Sequence, residues 1–256
     1  MNCKLMIRSA LAAAALASAL PAAAVVTLDL TAGGTGTANG TIFTTNDSQS
    51  TGTGVIQSFV RVSTNATLEQ GYNTSARPLT YDENSSPTFT RDLSLSAVPI
   101  VTISGVQYRE FLLDINQTAA DPYLSLDKIQ IYVQGSGGLS GAMNTSGTMT
   151  NATFTNLVWS LDTAVDRGLL LNYALNSGSG SGDLFMYVAN SLFTGGTNVY
   201  LYSQFGATDP HGNNDGFEEW AVRSVQMLPV PEPGTYALML AGLGAVGFMA
   251  RRRRQV

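Results

Sequence analysis

The residues of this 256-residue chain that are equipped for chemistry gather in two stretches. The first is "TDPHGNNDGFEEW" at 208–220, which holds His211, the only histidine, together with Glu218 and Glu219. The second is "YREFLLDINQ" at 108–117, which holds Glu110 and Asp114. Hydrolysis of a glycosidic bond needs two carboxyl groups flanking that bond. Glu218 and Glu219 are adjacent, so on a strand they point to opposite faces. Either meets Glu110 or Asp114 only if the fold happens to bring the two stretches together. A serine triad would have to use His211, and no G-x-S-x-G elbow accompanies it. A single histidine also rules out a zinc site built on several. The expectation is a protein with no catalytic residues.

Two binding chemistries stay open. Asp209, Asn213, Asn214 and Asp215 are hard oxygen donors in a glycine-containing loop, the donor type that calcium prefers. The D-x-[DN]-x-[DN]-G pattern is not matched, however, and Asx-Gly loops are usually turns. Trp159, Trp220, Tyr200 and Tyr202 are the candidates for a platform on which sugar rings could stack, with Tyr132 and Tyr187 as further tyrosines of the same kind. On a strand, Tyr200 and Tyr202 share a face. The competing reading is that these rings pack the core, as aromatics in sandwiches generally do.

The elements that would position these residues are strands. "YREFLLDINQ" puts Phe111, Leu113 and Ile115 on one face and Leu112, Asp114 and Asn116 on the other. "LSLDKIQIYVQ" at 124–134 changes phase near Lys128, then aligns Ile129, Ile131 and Val133. "VIQSFVRV" at 55–62 is apolar on both faces in part, and "VPIVTI" at 98–103 is an apolar run of strand length. Further strand-sized runs lie at 154–162, 169–175, 183–190, 198–206 and 218–227, separated by turns such as "QGSGGLSG" and "TGGTN". Residues 31–54, rich in Gly, Thr and Asn, suit short strands joined by turns. No segment between the termini carries a helical period. Many short strands with Gly-rich turns predict an all-β fold, an antiparallel β-sandwich or jelly-roll-like ectodomain.

Both ends of the chain differ from this body. At the N-terminus Lys4 and Arg8 precede an Ala/Leu run and then "PAAA", the layout of a signal peptide. Ala22 and Ala24 are the small residues that signal peptidase requires, so cleavage is expected after Ala24. Cys3, the only cysteine, leaves with residues 1–24, and disulfides and thiolate chemistry leave with it. The remaining body, 25–228, carries 17 acidic and 7 basic residues, a balance that repels nucleic acid phosphates. A proline-rich linker comes next at 229–235, then fifteen apolar residues at 236–250, then a basic tail at 251–256. Fifteen residues make a helix of about 22 Å, short for a hydrocarbon core of about 30 Å. Arg251, Arg252, Arg253 and Arg254 would hold its end on the cytoplasmic side.

"VPEPGT", a short apolar helix and "ARRRR" near the chain end, in that order, resemble the PEP-CTERM sorting signal. The sorting motif itself is Pro231, Glu232 and Pro233. Tyr236 stands where tryptophan is common in that family, and both are interfacial aromatics. The body resembles ectodomains that travel with such tails, notably around "FLLDIN" and "NNDGFEEWAV", with no activity attached to that likeness. The resemblance implies export by an exopolysaccharide-producing Gram-negative bacterium and a precursor held transiently in the inner membrane. It implies removal of the tail by an exosortase, a membrane enzyme. The resulting expectation is a non-catalytic surface or extracellular-matrix protein associated with exopolysaccharide, with a carbohydrate-binding module as the alternative and a secreted hydrolase behind it. No cofactor is expected, with calcium at the Asp209–Asp215 loop as the one option left open.

Overall fold

A computed structural model describes residues 26–45, 58–143, 149–150, 154–178 and 182–223. The expected signal peptide, linker, apolar helix and basic tail lie outside the described residues. Sixteen strands carry the described fold. The first eight are β1 (Val26–Asp29), β2 (Thr35–Ala38), β3 (Thr41–Thr44), β4 (Ser58–Val62), β5 (Glu69–Tyr72), β6 (Leu93–Ser94), β7 (Ile100–Ile103) and β8 (Val106–Asp114). The others are β9 (Tyr123–Gln134), β10 (Ala142–Met143), β11 (Met149–Thr150), β12 (Leu157–Ser160), β13 (Arg167–Asn172), β14 (Leu184–Ala189), β15 (Asn198–Phe205) and β16 (Glu218–Ala221). The helical content of the described residues is three single 3-10 turns. Among them no helix is long and apolar enough to cross a membrane.

Two seven-stranded sheets form the body. The first runs β1-β13-β9-β15-β5, with β12 also paired to β9 and β6 to β15. The second runs β2-β3-β14-β8-β16-β4, with β7 also paired to β8. The pairings are antiparallel with one exception: β1 lies parallel to β13, placing Val26 opposite Arg167. The expected sandwich is therefore antiparallel-rich rather than wholly antiparallel. Tight turns close the hairpins. Asn39 and Gly40 both take positive φ between β2 and β3, as do Ser104 and Gly105 between β7 and β8.

One core cluster joins both sheets. Phe111, Leu113 and Ile115 enter it from β8 and its end, on the face the alternation predicts. Leu124 and Leu126 enter it from β9, and so do Ile129, Ile131 and Val133. That change of phase is a bulge: Lys128 pairs with Gln204 and Leu126 with Phe205, so Asp127 is the extra residue. The backs of the sheets are also covered. Tyr72, Tyr132, Phe154, Tyr200 and Tyr202 pack together behind the first sheet. Leu112, Phe185, Tyr187 and Ala221 pack behind the second.

Candidate functional site

The loop from β15 to β16 carries the four expected oxygen donors, and it is stapled down by its own polar groups. Gly206 starts it at φ +77°, and a Cβ there would lie 1.9 Å from the Thr67 carbonyl oxygen. That approach requires glycine. Asp127, the bulged residue of β9, receives the Ala207 amide at 2.7 Å and the Thr208 hydroxyl at 2.6 Å. Asn213 donates its amide N–H to Thr67 O at 2.7 Å and its side-chain Nδ2 to Thr64 O and Ala66 O at 3.1 and 3.3 Å. Asn214 accepts from the Thr118 amide at 2.8 Å through Oδ1 and donates to Asp121 O at 2.7 Å through Nδ2. Both asparagine side chains thus bind backbone. Asp209 and Asp215 line different clefts. Asp209 lies with Asp121 and Thr67, Asp215 with Ser63–Ala66, and Asn213 and Asn214 form the wall between them. Among the described residues, no three Asp, Glu, His or Cys side chains gather in metal-binding range. His211 packs edge-on against Tyr123, with ring centroids 5.9 Å apart.

The four candidate sugar-stacking rings are buried, which corrects the platform reading. Trp159, Trp220, Tyr200 and Tyr202 are between 0 and 5 % exposed, so none offers a ring face to solvent. Each indole spans the sandwich instead. Trp159 on β12 donates to Asn39 O in the β2–β3 turn at 3.0 Å. Trp220 on β16 donates to Ser203 Oγ on β15 at 3.1 Å. Tyr200 and Tyr202 do share a face, as their spacing requires, but that face is roofed. Phe154 stands edge-on to Tyr200 at 5.1 Å and to Tyr132 at 5.5 Å. The Tyr200 hydroxyl donates to Ser136 O at 3.1 Å, and the Tyr202 hydroxyl to Gln70 Oε1 at 2.6 Å. Burial pushes the Tyr200 phenol up to about 12, and the Tyr202 phenol rises for the same reason.

Sequence reasoning did not foresee that a set of carboxyl groups is buried. Glu69, Glu83, Glu110, Asp114, Asp183, Glu218 and Glu219 are all buried. Glu218 and Glu219 do point to opposite faces. Glu219 faces Asp114 across β8 and pairs with Arg61, whose Nε lies 2.6 Å from its Oε1. The Arg61 guanidinium is held 3.5 Å from the Phe89 ring centre and 4.0 Å from that of Phe217. Glu110 forms an ion pair with Arg223 at 3.0 Å. Glu83 accepts the Tyr72 and Tyr81 amides at 3.1 and 2.8 Å, standing in for a strand. Asp183 accepts the Ile115 amide at 2.8 Å. Burial, with the Asp114 carboxyl beside it, raises Asp183 to about 8. Burial raises Glu69 to about 8 as well, helped by the charge of Asp82. The one sequence cue is the placement of Glu218 and Glu219 beside Trp220 in a short strand.

The processing residues Ala22, Ala24, Pro231, Glu232, Pro233 and Arg251–Arg254 lie outside the described residues, so the tail is judged on its sequence. Pro-Glu-Pro, an apolar run and an arginine cluster succeed one another there. Residues 229–254 match the PEP-CTERM protein-sorting motif. The matched span starts at the first linker proline and ends at the last arginine, so it includes every tail residue expected to act in sorting. No curated protein and no solved structure matches the chain. The PEP-CTERM motif is joined to β16 by the residues after Arg223.

Proposed function

We propose that this chain is an exported, non-catalytic surface or matrix protein whose PEP-CTERM tail routes it through a transient inner-membrane stage. The match at 229–254 carries the reading. The signal peptide starts export, and cleavage after Ala24 frees β1. The short apolar run and Arg251–Arg254 stop the precursor with its body outside the cytoplasm. An exosortase-type enzyme then grips the Pro231-Glu232-Pro233 segment and removes the apolar run and the arginines. Proline suits that segment to an enzyme cleft, because it cannot continue a helix and keeps the preceding residue extended.

Freed from the membrane, the body associates with the hydrated exopolysaccharide matrix of the cell surface. Its net acidity and its Thr, Ser and Asn content support that setting. With the four aromatic candidates inside the fold, association with polysaccharide runs through polar surface and not through those four rings. The test is mass spectrometry of the protein secreted by a host that has the sorting enzyme. The expected result is a mature chain lacking residues 236–254. Recovery of peptides from that span in most molecules overturns the processing step.

A further inference from the structure

One end of the sandwich buries carboxyl groups whose charge is not balanced by the described residues. Glu69 opens β5 and Glu218 opens β16, and both are 0 % exposed. Among the described residues neither oxygen of Glu69 has a hydrogen-bond partner, although the Thr64 backbone N–H lies near enough to favour its charge. Glu218 receives Gln117 Nε2 at 3.2 Å on Oε1, while its Oε2 has none. Burying an uncompensated carboxylate costs several kcal/mol, so each such group calls for a counter-charge, an ion or a proton.

The topology brings the two groups to the same gap. Glu218 pairs with Val62, and residues 63–68 run from Val62 directly to Glu69. Glu69 pairs with Phe205, and residues 206–217 run from Phe205 directly to Glu218. Each connection therefore starts beside one carboxyl and ends at the other. Asn213 ties the two connections together through Thr64 O, Ala66 O and Thr67 O. Gln117 Nε2, which donates to Glu218, also lies 3.5 Å from Asn213 Oδ1. The polar groups at this end are two carboxyls, the carbonyls of the 64–67 turn, and two side-chain amides that donate N–H groups to Glu218 and to those carbonyls.

We propose that this end of the sandwich is a calcium site, with Glu69 and Glu218 as its charged ligands and carbonyl oxygens of the 64–67 turn among its neutral ones. Two carboxylates balance one divalent cation. Calcium accepts six to eight oxygens in an adaptable geometry, whereas magnesium demands a near-ideal octahedron that a loop-built set does not offer. The ion would lie beneath Asn213, inside the fold, and not in the outer clefts that Asp209 and Asp215 line. The site does not depend on how the tail is processed.

The test uses the full-length chain, purified in mild detergent and stripped with chelator. Calcium titration by calorimetry is expected to give one site per chain, with a dissociation constant on the order of 10⁻⁴ to 10⁻³ M, as in extracellular modules. Calcium should raise the unfolding temperature, and magnesium at equal concentration should not. Glu69→Gln and Glu218→Gln keep the shape of a protonated carboxyl and should fold, as circular dichroism would confirm. Each should weaken calcium binding at least about tenfold, the loss of 1.4 kcal/mol or more expected for a charged ligand. The double variant Asp209→Asn with Asp215→Asn should bind as the wild type does. Absence of binding and of any thermal shift up to about 10 mM calcium, ten times the weak end of that range, overturns the site. So does full binding by the glutamine variants, or its loss in the Asp209/Asp215 variant, which would move the ion to the outer loop.

Discussion

Arg61 sits between two phenyl rings with its Nε on Glu219, and side-chain exposures of 17 % and 4 % make this a largely buried pair. Removing one partner of such a pair leaves the other charged and dry. Arg61→Ala should cost about 3–5 kcal/mol in a denaturant titration. Arg61→Lys should recover little of that, because an ammonium cannot stack flat between Phe89 and Phe217. The pair Lys128–Asp162 is the contrast: at 30 and 22 % exposed it is screened by water, and Lys128→Ala should cost about 1 kcal/mol or less. The carboxyls that lack a cation set a pH dependence of their own. Glu69 and Asp183, raised to about 8 mainly by burial, hold protons in the folded state that the unfolded chain releases near its ordinary carboxylate range. Their stabilising contribution is complete at acid pH below that range and is lost as pH rises toward 8. Without calcium, the unfolding temperature should therefore fall between about pH 5 and 8, and Glu69→Gln should flatten that fall. These groups are not legible in the sequence. Hydrophobic alternation marks which face is apolar, but it cannot tell that the opposite face is also covered. The alternation places Asp114 opposite Leu113, and yet Asp114 too is buried. The aromatic candidates fail for a related reason, since a tyrosine at strand spacing reads the same under a roof as in solvent.

The strands themselves are readable wherever burial is one-sided or the period breaks. The apolar face of β8 follows from Phe111, Leu113 and Ile115, and all three lie in the core. Leu113→Ala should cost about 2–5 kcal/mol, from lost burial and the cavity left behind. The phase change at Lys128 shows in the sequence as a slip in the alternation, and it is the bulge at Asp127. What the slip cannot reveal is its use: the extra residue turns its carboxylate to the start of the 206–217 loop. That loop should be intolerant at its first position. Gly206→Ala would place a methyl against Thr67 O in a left-handed conformation, a combination worth more than the roughly 1 kcal/mol of the backbone penalty alone. Thermal unfolding should show a severe loss, whereas Gly40→Ala meets no atom within 4 Å and should show only the backbone penalty. The parallel pairing of β1 with β13 has no cue in sequence, because its two partners are far apart along the chain.

For the molecule as a whole, the tail is the most legible part and the sheet order the least. Pro-Glu-Pro, a short span and four arginines are local signals that no packing can override, and the match at 229–254 rests on them. Replacing Arg251–Arg254 with glutamine should weaken the stop, so that less precursor is recovered in the inner-membrane fraction. Unchanged fractionation would mean that the apolar run holds by itself. The order of strands, by contrast, joins elements from opposite ends of the chain, and it carries a mechanical consequence. The last described strand, β16, lies inside its sheet, bonded to β8 on one side and β4 on the other. A pull transmitted from a membrane-held tail would reach the described body first through this strand. The hydrogen bonds to β8 and β4 run perpendicular to the strand. Under a load along it they act together, in shear, and do not peel one after another as they would from a hairpin at the sheet edge. A pull along β16 would therefore have to break both of its ladders at once.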